Sequence, residues 1–243
     1  MSDRLTSPTG GWTDSTLGRT VLELERELLS TALGDVFGFE LLQVGCWGPP
    51  RALLGAARTQ HARWLAPDAD GPGAVRCEFD ALPIASASVE AVLLPHTLEY
   101  APRPRELLRE VERVLTGEGR VLVCGFSPFG PWGLRHAVSR SRFPEPCVRL
   151  FGEHRIRDWL ELLGCEVEST QRYLFAPPWR HSIAPQRRRW LEQHAGRLAP
   201  PLAGAYLVKA RKRVLARTPM RPVWRGAPVV VGGLVEPTSR NAA

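Results

Sequence analysis

Four sets of residues have types and spacing suited to chemistry. The stretch Gln43-Val44-Gly45-Cys46-Trp47-Gly48-Pro49-Pro50 closes the apolar run 39–44 and continues beyond it. It reads as a buried strand entering a nucleotide-type glycine loop. Glycines serve such a loop by allowing close backbone approach and by leaving N–H donors free. Trp47 adds bulk there, and Pro49 and Pro50 remove two donors. Asp80 ends a second apolar segment, 74–79, and is either a ligand acceptor or a turn cap. His96 follows the most continuous apolar run, 89–94. An imidazole there can take a proton from an O–H or N–H, or it can bond a neighbouring loop and position the next helix. Phe126, Phe129 and Trp132 lie in the Pro/Gly-rich stretch 125–135, either as a clamp for a planar or cationic group or as an apolar lid.

Other chemistries find no support. Cys46, Cys77, Cys124, Cys147 and Cys165 are scattered singly, without CxxC spacing. An odd, sparse set of thiols suits a reducing cytoplasm. His61, His136, His154, His181 and His194 have no metal-ligand spacing, so no metal site is expected. Ser127 lacks a nucleophile elbow, which argues against a hydrolase. The N-terminus has no apolar signal region, and no apolar run reaches the length of a membrane span. We therefore expect a cytoplasmic protein with no membrane partner.

The elements that must position these residues alternate in type. A helix is expected over 14–33, with Leu17, Val21, Leu24, Leu28 and Ala32 on one face and Asp14 or Ser15 as cap. Strands are expected at 39–44, 61–67, 74–79, 89–94, 120–126, 165–175 and 205–213. Helices are expected from about 51, where Pro49 and Pro50 can open a first turn, and over 104–115 and 153–164. This alternation predicts an open, mostly parallel α/β sheet with an antiparallel pair at one edge. Residues 1–37 form an N-terminal helical extension in this reading, 38–213 the main domain, and 176–204 an insertion holding a basic helix. Residues 214–243 are a basic, flexible tail.

The chain has 243 residues and a net charge of +7. From Lys209 onward, eight basic residues meet one acid, Glu236, so this end carries the whole excess. The body is neutral and is not a nucleic-acid-type basic domain. A solvated arm is the plain reading of the tail, and nucleic-acid binding the sharper one.

The segments "LLQVGCWG", "EFDALPIASASVEAVLLPHTLEYAPRPRELLREVERVLTGEGRVLVCGFSP" and "RIRDWLELLGCEVES" resemble the class I S-adenosylmethionine (SAM)-dependent methyltransferases, type 11 domain group. The resemblance covers residues 38–175 and the final strand. It implies a Rossmann-like, mostly parallel seven-stranded sheet with helices on both faces and an antiparallel edge strand. It also implies SAM as cofactor, at the carboxyl ends of the strands. Carried over position by position, Gly45 matches the first loop glycine, while Gln43 stands where relatives have an acid. Trp47 stands where they have the next glycine. Gly48 is retained, and Pro49 replaces another glycine. Asp80 matches the acid beside the adenine, followed by Leu82-Pro83. No acid ends the second strand; Asp68 and Asp70 lie just beyond and substitute only if their loop folds back.

Two readings follow. In the first the chain is a SAM-dependent methyltransferase with an unknown acceptor. It holds SAM through Gly45, Trp47, Gly48, Asp80 and Leu82, and His96 is the candidate general base. Trp47 must then turn outward or stack on the ligand. In the second the fold has lost catalysis and serves as a binding or interaction module, with nucleic acid as one partner class through the basic tail. Oligomeric state is left open.

Overall fold

The computed structural model describes residues 10–49, 51–55, 57–69, 73–139, 143–178 and 202–213. The elements in chain order are α1 (Gly10–Thr13), α2 (Thr16–Ala32), β1 (Phe37–Val44), β2 (Arg58–Ala66), β3 (Ala74–Arg76) and β4 (Val89–Pro95). There follow α3 (Thr97–Tyr100), α4 (Pro104–Val114), β5 (Leu115–Phe126), α5 (Gly130–Val138), α6 (Glu153–Leu162), β6 (Cys165–Tyr173) and β7 (Ala205–Lys212). Seven strands form one sheet in the order β3-β2-β1-β4-β5-β7-β6. β1 to β5 are parallel, and β7 runs antiparallel to both β5 and β6. The reversed strand is therefore second from the edge. The strand order turns back between β1 and β4, which places a ligand crevice over their carboxyl ends.

Two apolar layers cover the sheet. On one face α2 contributes Val21, Leu22 and Leu29 against Leu41, Leu93 and Leu122. On the other, Leu107, Leu108 and Val111 of α4 and Ile156 and Leu160 of α6 pack on Leu42, Val92 and Val123. α4 has the expected stripe and opens with Pro104 in its first turn. Ser15 caps α2: its Oγ accepts from the Gly18 N–H at 3.0 Å.

The expected helix from about residue 51 is not formed. Arg51 adopts φ +63, where a helix cannot continue, and the chain closes in short turns. Ala52 N–H donates to Pro49 O at 3.0 Å, and Leu54 N–H to Arg51 O at 3.1 Å. No helix joins β1 to β2 or β2 to β3 among the described residues. The third strand is shorter than expected, and the fifth begins earlier, at Leu115, taking in Thr116–Gly119. The basic helix expected in the insertion and the tail 214–243 lie outside the described residues.

Candidate functional site: a glycine loop closed over a buried carboxylate–histidine cluster

The loop after β1 takes two left-handed turns, at Gly45 (φ +98) and Gly48 (φ +73). Both positions need glycine for space as well as for conformation. A Cβ on Gly45 would fall on the Tyr100 hydroxyl and on Thr97, and one on Gly48 would strike Leu22. Thr97 Oγ1 also donates to Val44 O at 2.5 Å, tying α3 to the end of β1.

Trp47 turns inward, contrary to the expectation that it faces solvent or a ligand. It is 1% exposed, and its Nε1–H donates to Glu25 Oε2 at 2.6 Å. The cause is an unforeseen acid on the buried face of α2, one turn from Val21 and one turn from Leu29. The ring centroids of Trp47 and His96 lie 4.2 Å apart, Phe126 stacks on His96 at 4.1 Å, and Trp47 and Phe126 meet edge to face at 5.9 Å. Trp132 stacks in turn on Phe126 at 5.5 Å.

His96 is fully buried, at the N-cap of α3, with left-handed backbone at φ +57. Its Nε2 meets Glu25 Oε1 at 2.7 Å, and its Nδ1 meets Glu99 Oε2 at 3.1 Å. Burial alone lowers the affinity of this imidazole for its proton, but Glu25 and Glu99 outweigh burial and raise its pKa to about 9. As an imidazolium it donates to both carboxylates. Glu25 also accepts from the Tyr173 hydroxyl at 3.0 Å. Glu99 also accepts from Phe126 N–H at 2.5 Å and from the Cys147 thiol at 3.1 Å. Each carboxylate thus collects three donors, which is what a buried charge requires. Glu99 is itself buried, at 2% exposed. Phe126 and Trp132 join this cluster, whereas Phe129 points away and is 69% exposed.

The other sequence candidates lie after β2 and β3. Asp80 pairs with Arg103. Leu82 is buried, and its N–H donates to Glu110 at 3.0 Å. Arg113 braces the same turn, donating to Leu82 O, Ile84 O and Ser86 Oγ, each at 3.0 Å. Asp68 does fold back: its Oδ1 accepts from the Cys46 thiol at 3.6 Å, beside the glycine loop. Glu25, Cys147 and Tyr173 escaped the sequence reading. Only Glu25 left a trace there, as an acid inside an apolar stripe.

Sheet order and crevice are those of the class I, SAM-dependent methyltransferase fold. A family model for a methyltransferase domain matches residues 51–123. The uncharacterized protein YafS of Escherichia coli strain K12 is 31% identical over 213 residues, which is 85% of this chain and 82% of YafS. A SAM-dependent methyltransferase from Thermotoga maritima aligns over 84% of this chain and 94% of its own, at 15% identity and a TM-score of 0.60. The Burkholderia thailandensis 1,6-didemethyltoxoflavin N1-methyltransferase, solved with 1,6-didemethyltoxoflavin and S-adenosylhomocysteine, aligns over 84% of this chain and 81% of its own. It is 17% identical, with a TM-score of 0.52.

The residues at the loop fit SAM at one end. Gln43 Oε1 is buried beside the loop and has no partner among the described residues, so it can accept from an ammonium group. Asp68 and Asp80 are the nearby carboxylates, the first bonded to Cys46 and the second paired with Arg103. The other end is taken: the indole of Trp47 and the ring of His96 fill the space between the β1 loop and the end of β4. Among the described residues no group of three or more His, Cys, Asp or Glu could hold a metal. No helix there is long and apolar enough to cross a membrane.

Proposed function

We propose that this protein is a SAM-dependent methyltransferase acting on an acceptor still to be identified. The observation that carries the reading is the return of Asp68 to the glycine loop, which restores an acid where the sequence lacks one. Gly45 and Gly48 supply main chain that bends closely under a ligand. Gln43 accepts from its ammonium group. Asp68 and Asp80, on either side, accept from its sugar and base, and Leu82 packs beside the base. Bound SAM would supply a methyl group on a sulfonium. The transfer needs alignment in a dry site more than acid–base help. Phe126, Trp132 and Trp47 keep water out. His96 is the candidate base named by position; with both ring nitrogens on carboxylates it serves better to fix Glu25 and Glu99. The five free cysteines support a cytoplasmic setting.

The inward Trp47 favours a second reading, a methyltransferase fold used for binding rather than catalysis. Calorimetric titration with SAM and with S-adenosylhomocysteine separates the two. Micromolar binding supports the enzyme. Absence of heat at millimolar ligand, with folding confirmed by circular dichroism, overturns it in favour of the second.

A further inference from the structure

A cavity of about 670 Å3 opens at the carboxyl end of β5, outside the glycine-loop site. This volume is that of a small-molecule site. Its apolar wall is made by Pro128, Phe129, Leu150, Ala203, Ala205 and the ring of Tyr206. The Tyr206 hydroxyl is committed to Phe151 O at 2.8 Å and the residue is buried, so it forms the floor of the cavity. Ser127, also in the lining, directly follows Phe126, whose ring stacks on His96. The cavity is therefore continuous in the chain with the aromatic cluster.

Its polar side is basic. His154, Arg155 and Arg172 line it, against one acid, Glu153. Glu153 is already neutralised: Arg172 clamps it through two bonds of 2.6 and 3.2 Å, and Arg157 stands at 3.9 Å. Arg155 is exposed and has no ion-pair partner among the described residues. The first turn of α6, starting after Gly152, carries no side-chain cap, so its N–H groups add to the positive field at the same rim.

We propose that this cavity is the acceptor site, and that it takes a compact molecule with an apolar, planar body and one anionic group. The body lies against Pro128, Phe129 and Leu150, and the anion meets Arg155 and the start of α6. This rests on the methyltransferase reading only for the word acceptor; the ligand chemistry rests on the cavity.

The test is fluorescence titration of the full chain with two probes that share a ring system. One is 8-anilinonaphthalene-1-sulfonate, which is anionic; the other is N-phenyl-1-naphthylamine, which is neutral. The sulfonate is expected to bind at one saturable site, about 10-fold tighter than the neutral probe. Its affinity should fall about 5- to 10-fold in Phe129→Ala and in Arg155→Glu. Both side chains are exposed, so these variants should fold, and Arg58→Glu on β2 should leave the affinity unchanged. Equal affinity for the two probes, or no change in either cavity variant, overturns the proposal. So does displacement of the sulfonate by saturating S-adenosylhomocysteine, which would make the cavity part of the cofactor site. Calorimetry on the same preparation reads cofactor binding separately. If S-adenosylhomocysteine does not bind, the acceptor role falls with the methyltransferase reading, while the probe contrast still decides the chemistry of the cavity.

Discussion

Trp47 and Glu25 are joined by a 2.6 Å hydrogen bond that locks the loop after β1 to the helix α2, 22 residues away in sequence. The bond explains why a bulky residue stands in a glycine loop. The indole does not line the outer surface of the loop; it closes a cluster in which two carboxylates, an imidazole, a phenol and a thiol satisfy one another.

Removing Glu25 should therefore be costly. Glu25→Ala leaves the His96 Nε2–H, the Trp47 N–H and the Tyr173 hydroxyl without their acceptor. We expect a loss of about 3 kcal/mol in urea unfolding. A loss below about 1 kcal/mol would mean that the cluster is not closed as described.

The same cluster sets a pH dependence. The groups facing His96 are Glu25 from α2, Glu99 from α3, and Tyr173, Cys124 and Cys147 around them. Burial first, then the nearby carboxylates, raises the pKa of the tyrosine and of both cysteines, so none of these three titrates before His96. The folded pKa of His96, about 9, exceeds the ordinary value of 6.5. Its stabilisation is thus complete below about pH 6.5 and is lost as pH rises through about 9. Thermal unfolding should show a falling Tm from about pH 7 to pH 9.5, and the His96 ring signal in NMR should keep its imidazolium position through about pH 8. A ring signal that titrates near pH 6.5 would contradict this.

Much of the fold is legible in the sequence, because apolar runs such as 89–94 and the stripe Leu107, Leu108, Val111 have unambiguous periods. The match to a family pattern sets the strand order. What escapes reading is what depends on distant partners. Glu25 meets His96 at a separation of 71 residues and Tyr173 at 148, and no local pattern announces either contact. Propensity also misleads at 51–55, where Ala and Leu favour helix but the left-handed turn at Arg51 prevents it. Asp68 has no strand-end signature, since it reaches the loop only through the turn after β2.

Gly45→Ala combines a disfavoured φ with a collision against Tyr100 and Thr97. It should lower stability by about 2 kcal/mol, read from the urea midpoint. Stability within about 0.5 kcal/mol of the wild type would show that α3 does not press on the loop as described.

Arg113→Ala removes the brace under the turn 82–86, leaving Ile84 O and the Ser86 hydroxyl without this donor and Leu82 O with only the Ile84 N–H. We expect about 1–2 kcal/mol of lost stability. Amide hydrogen exchange should rise at 81–86 and stay unchanged at 41–45. Uniform exchange over both segments would assign Arg113 a global rather than a local role.

The measurement that reaches the central claim most directly is the affinity for S-adenosylhomocysteine of the wild type, Asp68→Ala and Asp80→Ala, by calorimetry. If the two carboxylates flank the cofactor, the wild type binds in the micromolar range and each variant binds about 10-fold or more weakly, at unchanged Tm. Wild-type binding that neither substitution weakens would place the ligand elsewhere and contradict the account.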